Sequence, residues 1–255
     1  MRIAFDLDGV LADMEAGLVH QAEAVFGEAM VRRLQELAAN GGEYADEPST
    51  ATTDRSGEPP RDPAGDGSAI PRLLKLNLTS RQQRRLWRHV ETIENFWETL
   101  EEFEAGVIQR LAAIATERRW EIIFLTKRPR SAGATAQVQS QRWLESKGFP
   151  LPSVYVVQGS RGRIAAGLGL DVVIDDRPEN CLDVVVDSKA RAILVWRGDE
   201  KALPAAAKRL GIGVVRSVSE CLDILTQMDS AEMDKPGVME RVRRLLGLKE
   251  HATAG

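Results

Sequence analysis

With 255 residues and a mass of 28.1 kDa, the chain can bury a full hydrophobic core, either as one large α/β domain or as a core with a smaller insertion. Hydrophobic and charged fractions of 43% and 28% are ordinary for a soluble globular protein, and a net charge of -4 argues against a nucleic acid polymer as partner. Cys181 and Cys221 stand far apart with no second pair, which excludes a disulfide framework or a cysteine zinc site and suits buried thiols in a reducing compartment.

The chain opens with a short apolar run, Ile3 to Phe5, that ends at Asp6. Further runs follow at Glu121 to Leu125, Val154 to Val157, Val172 to Ile174, Ala192 to Trp196 and Gly213 to Val215. They are continuous rather than alternating, as expected of strands buried on both faces of a parallel sheet. Helix-length segments lie between them: residues 132 to 147 ending at Gly148, 160 to 168, 200 to 210 ending at Gly211, and Ser217 to Met228. The alternation predicts an α/β, Rossmann-like parallel sheet with helices on both faces.

More than a hundred residues separate the first strand from the second, so an insertion is expected at 14–104, with the core formed by 1–13 and 105–230. Val19, Ala22, Phe26, Met30, Leu34 and Leu37 step by three and four, which predicts one apolar helical face over about five turns. Behind a Thr79-Ser80 start signal, Leu86, Val90, Ile93 and Trp97 predict a second such face. Residues 41–71, rich in Pro, Gly, Ser and Asp, read as a flexible loop, and 231–255 as a helical tail without chemistry. No segment reaches a signal h-region or a bilayer span, so a cytoplasmic location without membrane association is expected.

Polar residues close the strands. Asp6 ends the first and Thr126 the second, Asp175-Asp176 follows the run at 172 to 174, and Arg163 opens the helix before that run. Ligands of open parallel sheets bind at the carboxyl ends of the strands, so these positions should share one crevice. In Asp6-Leu7-Asp8-Gly9, two carboxylates stand at a strand-to-loop transition, and Gly9 permits a tight turn and a close backbone approach to an anion. One carboxylate can attack phosphorus while the other protonates the leaving oxygen and later activates water. A divalent cation on Asp6, Asp8, Asp175 or Asp176 would relieve their repulsion of a phosphate, and Mg²⁺ suits a site of few carboxylates plus waters. The Thr126 hydroxyl is expected to donate to a phosphate oxygen, and Arg163 to neutralise charge on the transferring group. Leu7, Gly9 and Lys127 are further candidates near the phosphate.

Each reading has a plainer rival. Asp-x-Asp-Gly also occurs in calcium loops, but Gly9 and Gly17 fall at the wrong positions for an EF-hand. Asp175-Asp176 before Arg177-Pro178 is a possible helix cap, though it follows an apolar run directly. Arg81, Arg84, Arg85, Arg88 and His89 precede Glu91, Glu94 and Glu98 and read as a solvated, salt-bridged helix face. Phe96 and Trp97 read either as core or as a platform for a nucleobase. His20 and His251 are read as surface residues.

The same residues resemble the four motifs of the haloacid dehalogenase superfamily: Phe-Asp6-Leu-Asp8-Gly9-Val-Leu-Ala-Asp13, Phe-Leu-Thr126, Gly162-Arg163-Ile and Val-Ile-Asp175-Asp176-Arg177-Pro178. The resemblance implies a Rossmann-like core with a cap inserted between the first two motifs, a Mg²⁺ cofactor, an aspartyl-phosphate on Asp6, and Asp176 as the direct metal ligand. The third motif is most often Lys in that superfamily. Here Arg163 is selected by its spacing and its place at a helix start, with Arg161 and Lys127 as rivals. Asp-Gly-Val-Leu-Ala-Asp, Asn95-Phe96-Trp97-Glu98-Thr99-Leu100-Glu101 and Ile-Asp-Asp-Arg-Pro resemble the 5'(3')-deoxyribonucleotidase group, which implies nucleoside 5'-monophosphates or a similar small phosphorylated metabolite. A sugar- or polyol-phosphate phosphatase and a catalytically silent phosphometabolite binder are the alternatives.

Overall fold

A computed structural model describes residues 1–39 and 76–229. The loop expected at 41–71 and the tail expected at 231–255 lie outside the described residues. The chain divides into two compact units, Met1–Met14 with Glu94–Gly255, and Glu15–Ile93. Residues 94–104, grouped by the sequence with the insertion, belong to the first unit.

The first unit is built on a six-stranded sheet, β1 (Arg2–Asp6), β2 (Glu121–Thr126), β3 (Ser153–Val156), β4 (Val172–Asp175), β5 (Arg191–Val195) and β6 (Gly213–Val215), in the order β3-β2-β1-β4-β5-β6. All pairings are parallel. This is a doubly wound, Rossmann-like α/β fold. The central strands explain their own continuity: Ile3, Ala4, Phe5 and Ile174 are wholly buried, so neither face tolerates a polar residue until the strand ends. The chain leaves β1 toward β2 on one side and returns to β4 on the other, which makes the carboxyl ends of β1 and β4 the switch point where such folds bind ligands. Register sets the polar residues side by side there: Phe5 pairs with Ile174, so the next residues, Asp6 and Asp175, emerge together.

Among the described residues, six helices connect or follow these strands: α4 (Val107–Arg118), α5 (Ala136–Ser146), α6 (Arg161–Leu168), α7 (Pro178–Asp187), α8 (Ala205–Arg209) and α9 (Val218–Asp229). The helix expected over 200 to 210 is instead a 3₁₀ turn at Glu200–Ala202 followed by the short α8. Pro204 separates them, because it has no N–H to give and disfavours helical backbone in the residue before it. Cys181 and Cys221 are both buried thiols.

The second unit carries α1 (Met14–Phe26), α2 (Glu28–Ala39) and α3 (Ser80–Thr92). The single face expected from Val19 to Leu37 is split where Gly27 takes φ +86°, a left-handed conformation that ends α1. Thr79 and Gln82 cap α3 reciprocally, as the Thr-Ser signal suggested. The helix stops before Trp97. Ile93 is extended and Asn95 is left-handed at φ 51°, so Phe96–Glu98 forms a separate 3₁₀ turn in the first unit. Among the described residues, no helix is long and apolar enough to cross a membrane.

Candidate active site

The turn after β1 is closed by its own backbone. The Leu7 carbonyl accepts from the Leu11 and Ala12 N–H groups, and the Gly9 N–H donates to the Ala12 carbonyl. Leu7 itself is wholly buried, so it contributes backbone to the turn and no side chain to the crevice. Gly9 lies at φ +87°, and a Cβ there would fall 2.1 Å from Asp176 Oδ2. Only glycine lets the turn come this close to the acidic pair that follows β4.

Asp6 is 8% exposed and is met by a guanidinium that the sequence offers only as a rival to Arg163. Arg161 Nη2 donates to Asp6 Oδ1 at 2.5 Å, and Arg161 Nε lies 3.7 Å from Asp175 Oδ2. The structure thus places Arg161, not Arg163, against Asp6. Arg163 has an 83% exposed side chain and approaches only Asp187, at 3.9 Å. The cap of α6 is the physical reason. Ser160 Oγ accepts from the Arg163 N–H, so Arg161 occupies the first helical position on the face that also buries Gly162 and Ala165, with Arg163 turned the other way. Gly162 lets α6 lie against α7, since a Cβ there would sit 2.2 Å from the Asp183 carbonyl. Asp183 locks the contact by accepting from Ser160 Oγ and the Gly162 N–H. Lys127, the other rival, is exposed at the start of the next loop.

Asp175 is wholly buried, and its oxygens accept from Asn180 Nδ2 at 3.0 Å and from the Arg177 N–H at 2.9 Å. Burial pushes Asp6 well above the usual carboxylate range, the charge on Asp175 pushes it further, and Arg161 opposes both. Asp175 is likewise raised, chiefly by burial, against the pull of Arg161. Asp176 is pushed up to about 7 by burial and by the neighbouring Asp175. Three carboxylates therefore share a space with one buried guanidinium, two of whose nitrogens, Nε and Nη1, have no hydrogen-bond partner. Such a region is under-neutralised and holds unspent donors.

Asp8 differs. Its Oδ2 accepts from Thr126 Oγ1 at 2.9 Å, and Arg128 grips it with Nη2 on Oδ1 at 2.8 Å and Nε at 3.0 and 3.1 Å from the two oxygens. Thr126, expected to serve a phosphate oxygen, thus gives its hydroxyl hydrogen to Asp8 and is wholly buried. The sequence reading missed Arg128, although it stands two residues beyond Thr126 in a run of cations. Phe96 and Trp97, offered as a nucleobase platform, are wholly buried and packed edge to face, with ring centroids 5.0 Å apart. They are core, and the Trp97 indole lies against Arg128.

No three His, Cys, Asp or Glu side chains form a ready-made metal cage among the described residues. That does not disfavour Mg²⁺, which keeps several waters and takes one or two carboxylates plus phosphate oxygens. Burial, and after it the charge of Asp175, raises both Asp6 and Asp176, and a hard cation would offset both effects, so the donor set fits.

No family model matches the chain, and no match was found among curated proteins. Solved structures do align with it along most of its length. A hydrolase from Pseudomonas syringae aligns at 16% identity and TM-score 0.48, covering 90% of this chain and 100% of its own. A haloacid dehalogenase-like family hydrolase from Streptococcus pneumoniae aligns at 12% identity and TM-score 0.47, covering 88% and 97%. An HAD hydrolase of family IA, variant 3, from Entamoeba histolytica aligns at 10% identity and TM-score 0.42, covering 86% and 94%.

Proposed function

We propose that the protein is a phosphomonoester hydrolase of the haloacid dehalogenase superfamily, acting on a small phosphorylated metabolite. The observation that carries this reading is the pairing of an under-neutralised carboxylate cluster at the β1 and β4 ends with a buried Arg161 that retains unpaired donors. A phosphoryl group can take up those donors.

In this reading, the Asp6 carboxylate attacks phosphorus, the ester P–O bond breaks, and Asp8 gives a proton to the leaving oxygen. Asp8 then takes a proton from water as it attacks the aspartyl-phosphate, which frees Asp6 and inorganic phosphate. Arg161 orients the phosphoryl oxygens while holding Asp6. Asp6 and Asp176 would hold Mg²⁺, since Asp175 already spends its oxygens on Asn180 and the Arg177 N–H. The ion would supply charge neutralisation between the carboxylates and the phosphate.

Nucleoside 5'-monophosphates and sugar or polyol phosphates remain competing substrate classes. Burial of Phe96 and Trp97 removes the aromatic residues that favoured a nucleotide. The test is a panel of both classes at equal concentration with Mg²⁺. Turnover that disappears on chelation and returns with Mg²⁺ is expected, and absence of hydrolysis across the panel contradicts the reading.

A further inference from the structure

Arg128 belongs neither to the strand-end set nor to the motifs of the resemblance, yet each of its three side-chain nitrogens has a hydrogen-bond partner. Its side chain is wholly buried. The guanidinium lies against two indoles, 4.9 Å from the Trp97 ring centre and 5.5 Å from that of Trp143. Both rings are pinned, Trp97 Nε1 to the Pro129 carbonyl at 3.0 Å and Trp143 Nε1 to the Leu100 carbonyl at 2.7 Å. Arg128 Nη1 donates to Ser140 Oγ at 2.9 Å, and its backbone N–H donates to Thr126 Oγ1 at 3.3 Å. The remaining two nitrogens form the fork on Asp8.

The geometry points to Arg128 as the residue that positions Asp8 for proton transfer, a role that rests on the phosphomonoesterase reading above. Each of its three nitrogens is spent on Asp8 or Ser140, whereas Arg161 retains unpaired donors. The Arg128 side chain is wholly buried and engaged by both Asp8 and Ser140, so it acts through Asp8. A planar fork packed against aromatic rings fixes the plane of a carboxylate, which the single ammonium of lysine cannot do. Stability alone is a poor explanation, because a buried ion pair is often replaceable by apolar residues without loss.

The test is a double-mutant cycle on Arg128→Met and Asp8→Asn, with Arg128→Lys alongside, assayed with phosphomonoesters from alkyl to dinitrophenyl. On an alkyl phosphate, Arg128→Met should lower kcat/KM, which reports the step that expels the leaving group, roughly 10- to 10²-fold, part of the full range of general acid–base catalysis. The loss should shrink on dinitrophenyl phosphate, whose leaving group needs no proton. Arg128→Lys should recover only part of the rate, and Arg128→Met should add nothing in the Asp8→Asn background. Equal losses across the leaving groups, or additive losses in the double variant, overturn the role. If the wild type hydrolyses no phosphomonoester, the phosphohydrolase reading fails instead. Thermal unfolding of the four proteins of the cycle then decides the pairing: non-additive Tm shifts support Arg128 as the anchor of Asp8, and additive shifts overturn it.

Discussion

Asp6 and Asp8 leave the same turn two residues apart, yet the chain surrounds them differently. Asp8 meets a hydroxyl and a full guanidinium fork, held by two pinned indoles and a serine. Asp6 shares one guanidinium with Asp175 and lies near Asp176, and burial drives all three carboxylates above their ordinary values. The first arrangement holds one carboxylate in a fixed plane. The second stores repulsion that a cation would relieve and leaves guanidinium donors for a phosphate, so on the proposed reading positioning and binding fall to two different arginines.

Removing the guanidinium on the Asp6 side should have the largest effect among the positively charged residues. Arg161→Ala is expected to lower kcat/KM roughly 10²- to 10³-fold, as when one donor to a developing charge is lost. Arg163→Ala should leave it within about threefold, since an exposed pair contributes little. Steady-state kinetics on the two variants would reverse the assignment of Arg161 if the order of losses were inverted. Gly9→Ala attacks the contact between the turn and the acidic pair: its Cβ would meet Asp176 Oδ2, and left-handed backbone costs a non-glycine residue about 1–2 kcal/mol. Reduced Tm together with weaker Mg²⁺ activation is expected, and a variant with wild-type Mg²⁺ dependence would show that Asp176 need not stand there.

A smaller effect concerns the far support of the same turn. Arg197 donates to the Gly9 and Val10 carbonyls and pairs with Glu104, which accepts from the Val218 and Ser219 N–H groups at the start of α9. Partial burial pushes Glu104 up, but the Ser219 and Val218 donors and Arg197 more than offset it and hold it below the ordinary glutamate value. A depressed carboxylate contributes stability that is complete above its unfolded value and is lost as pH falls through the folded one. Glu104→Gln should therefore cost about 1 kcal/mol at neutral pH, and the difference from wild type should vanish in acid. A Tm gap that persists or widens in acid contradicts this.

Much of this arrangement was legible in the sequence, because strands buried on both faces must be continuous apolar runs and must end where polarity resumes. Asp6, Thr126 and the Asp175-Asp176 pair were found that way. The helical stretches were less legible: Val19 to Leu37 keeps its period across Gly27, and periodicity cannot register one left-handed residue that turns the chain. The choice of Arg163 over Arg161 came from placing the helix start without its cap. Ser160 was a readable N-cap, and Ala165, four residues beyond Arg161, marked the buried face. Arg128 carried no such signal. Its role depends on Trp97 and Trp143, which approach it from distant parts of the chain, and among Lys127, Arg128 and Arg130 nothing local separates the buried cation from its neighbours.

The central claim is that Asp6 becomes covalently phosphorylated, and trapping tests it directly. Protein acid-quenched during Mg²⁺-dependent turnover of a phosphomonoester, then digested and examined by mass spectrometry, should carry a phosphoryl group on the peptide containing Asp6. The group should be absent from Asp6→Asn, which should also have lost roughly 10³-fold or more in rate. Undiminished turnover by Asp6→Asn, or a phosphoryl group found on another residue, would contradict the account.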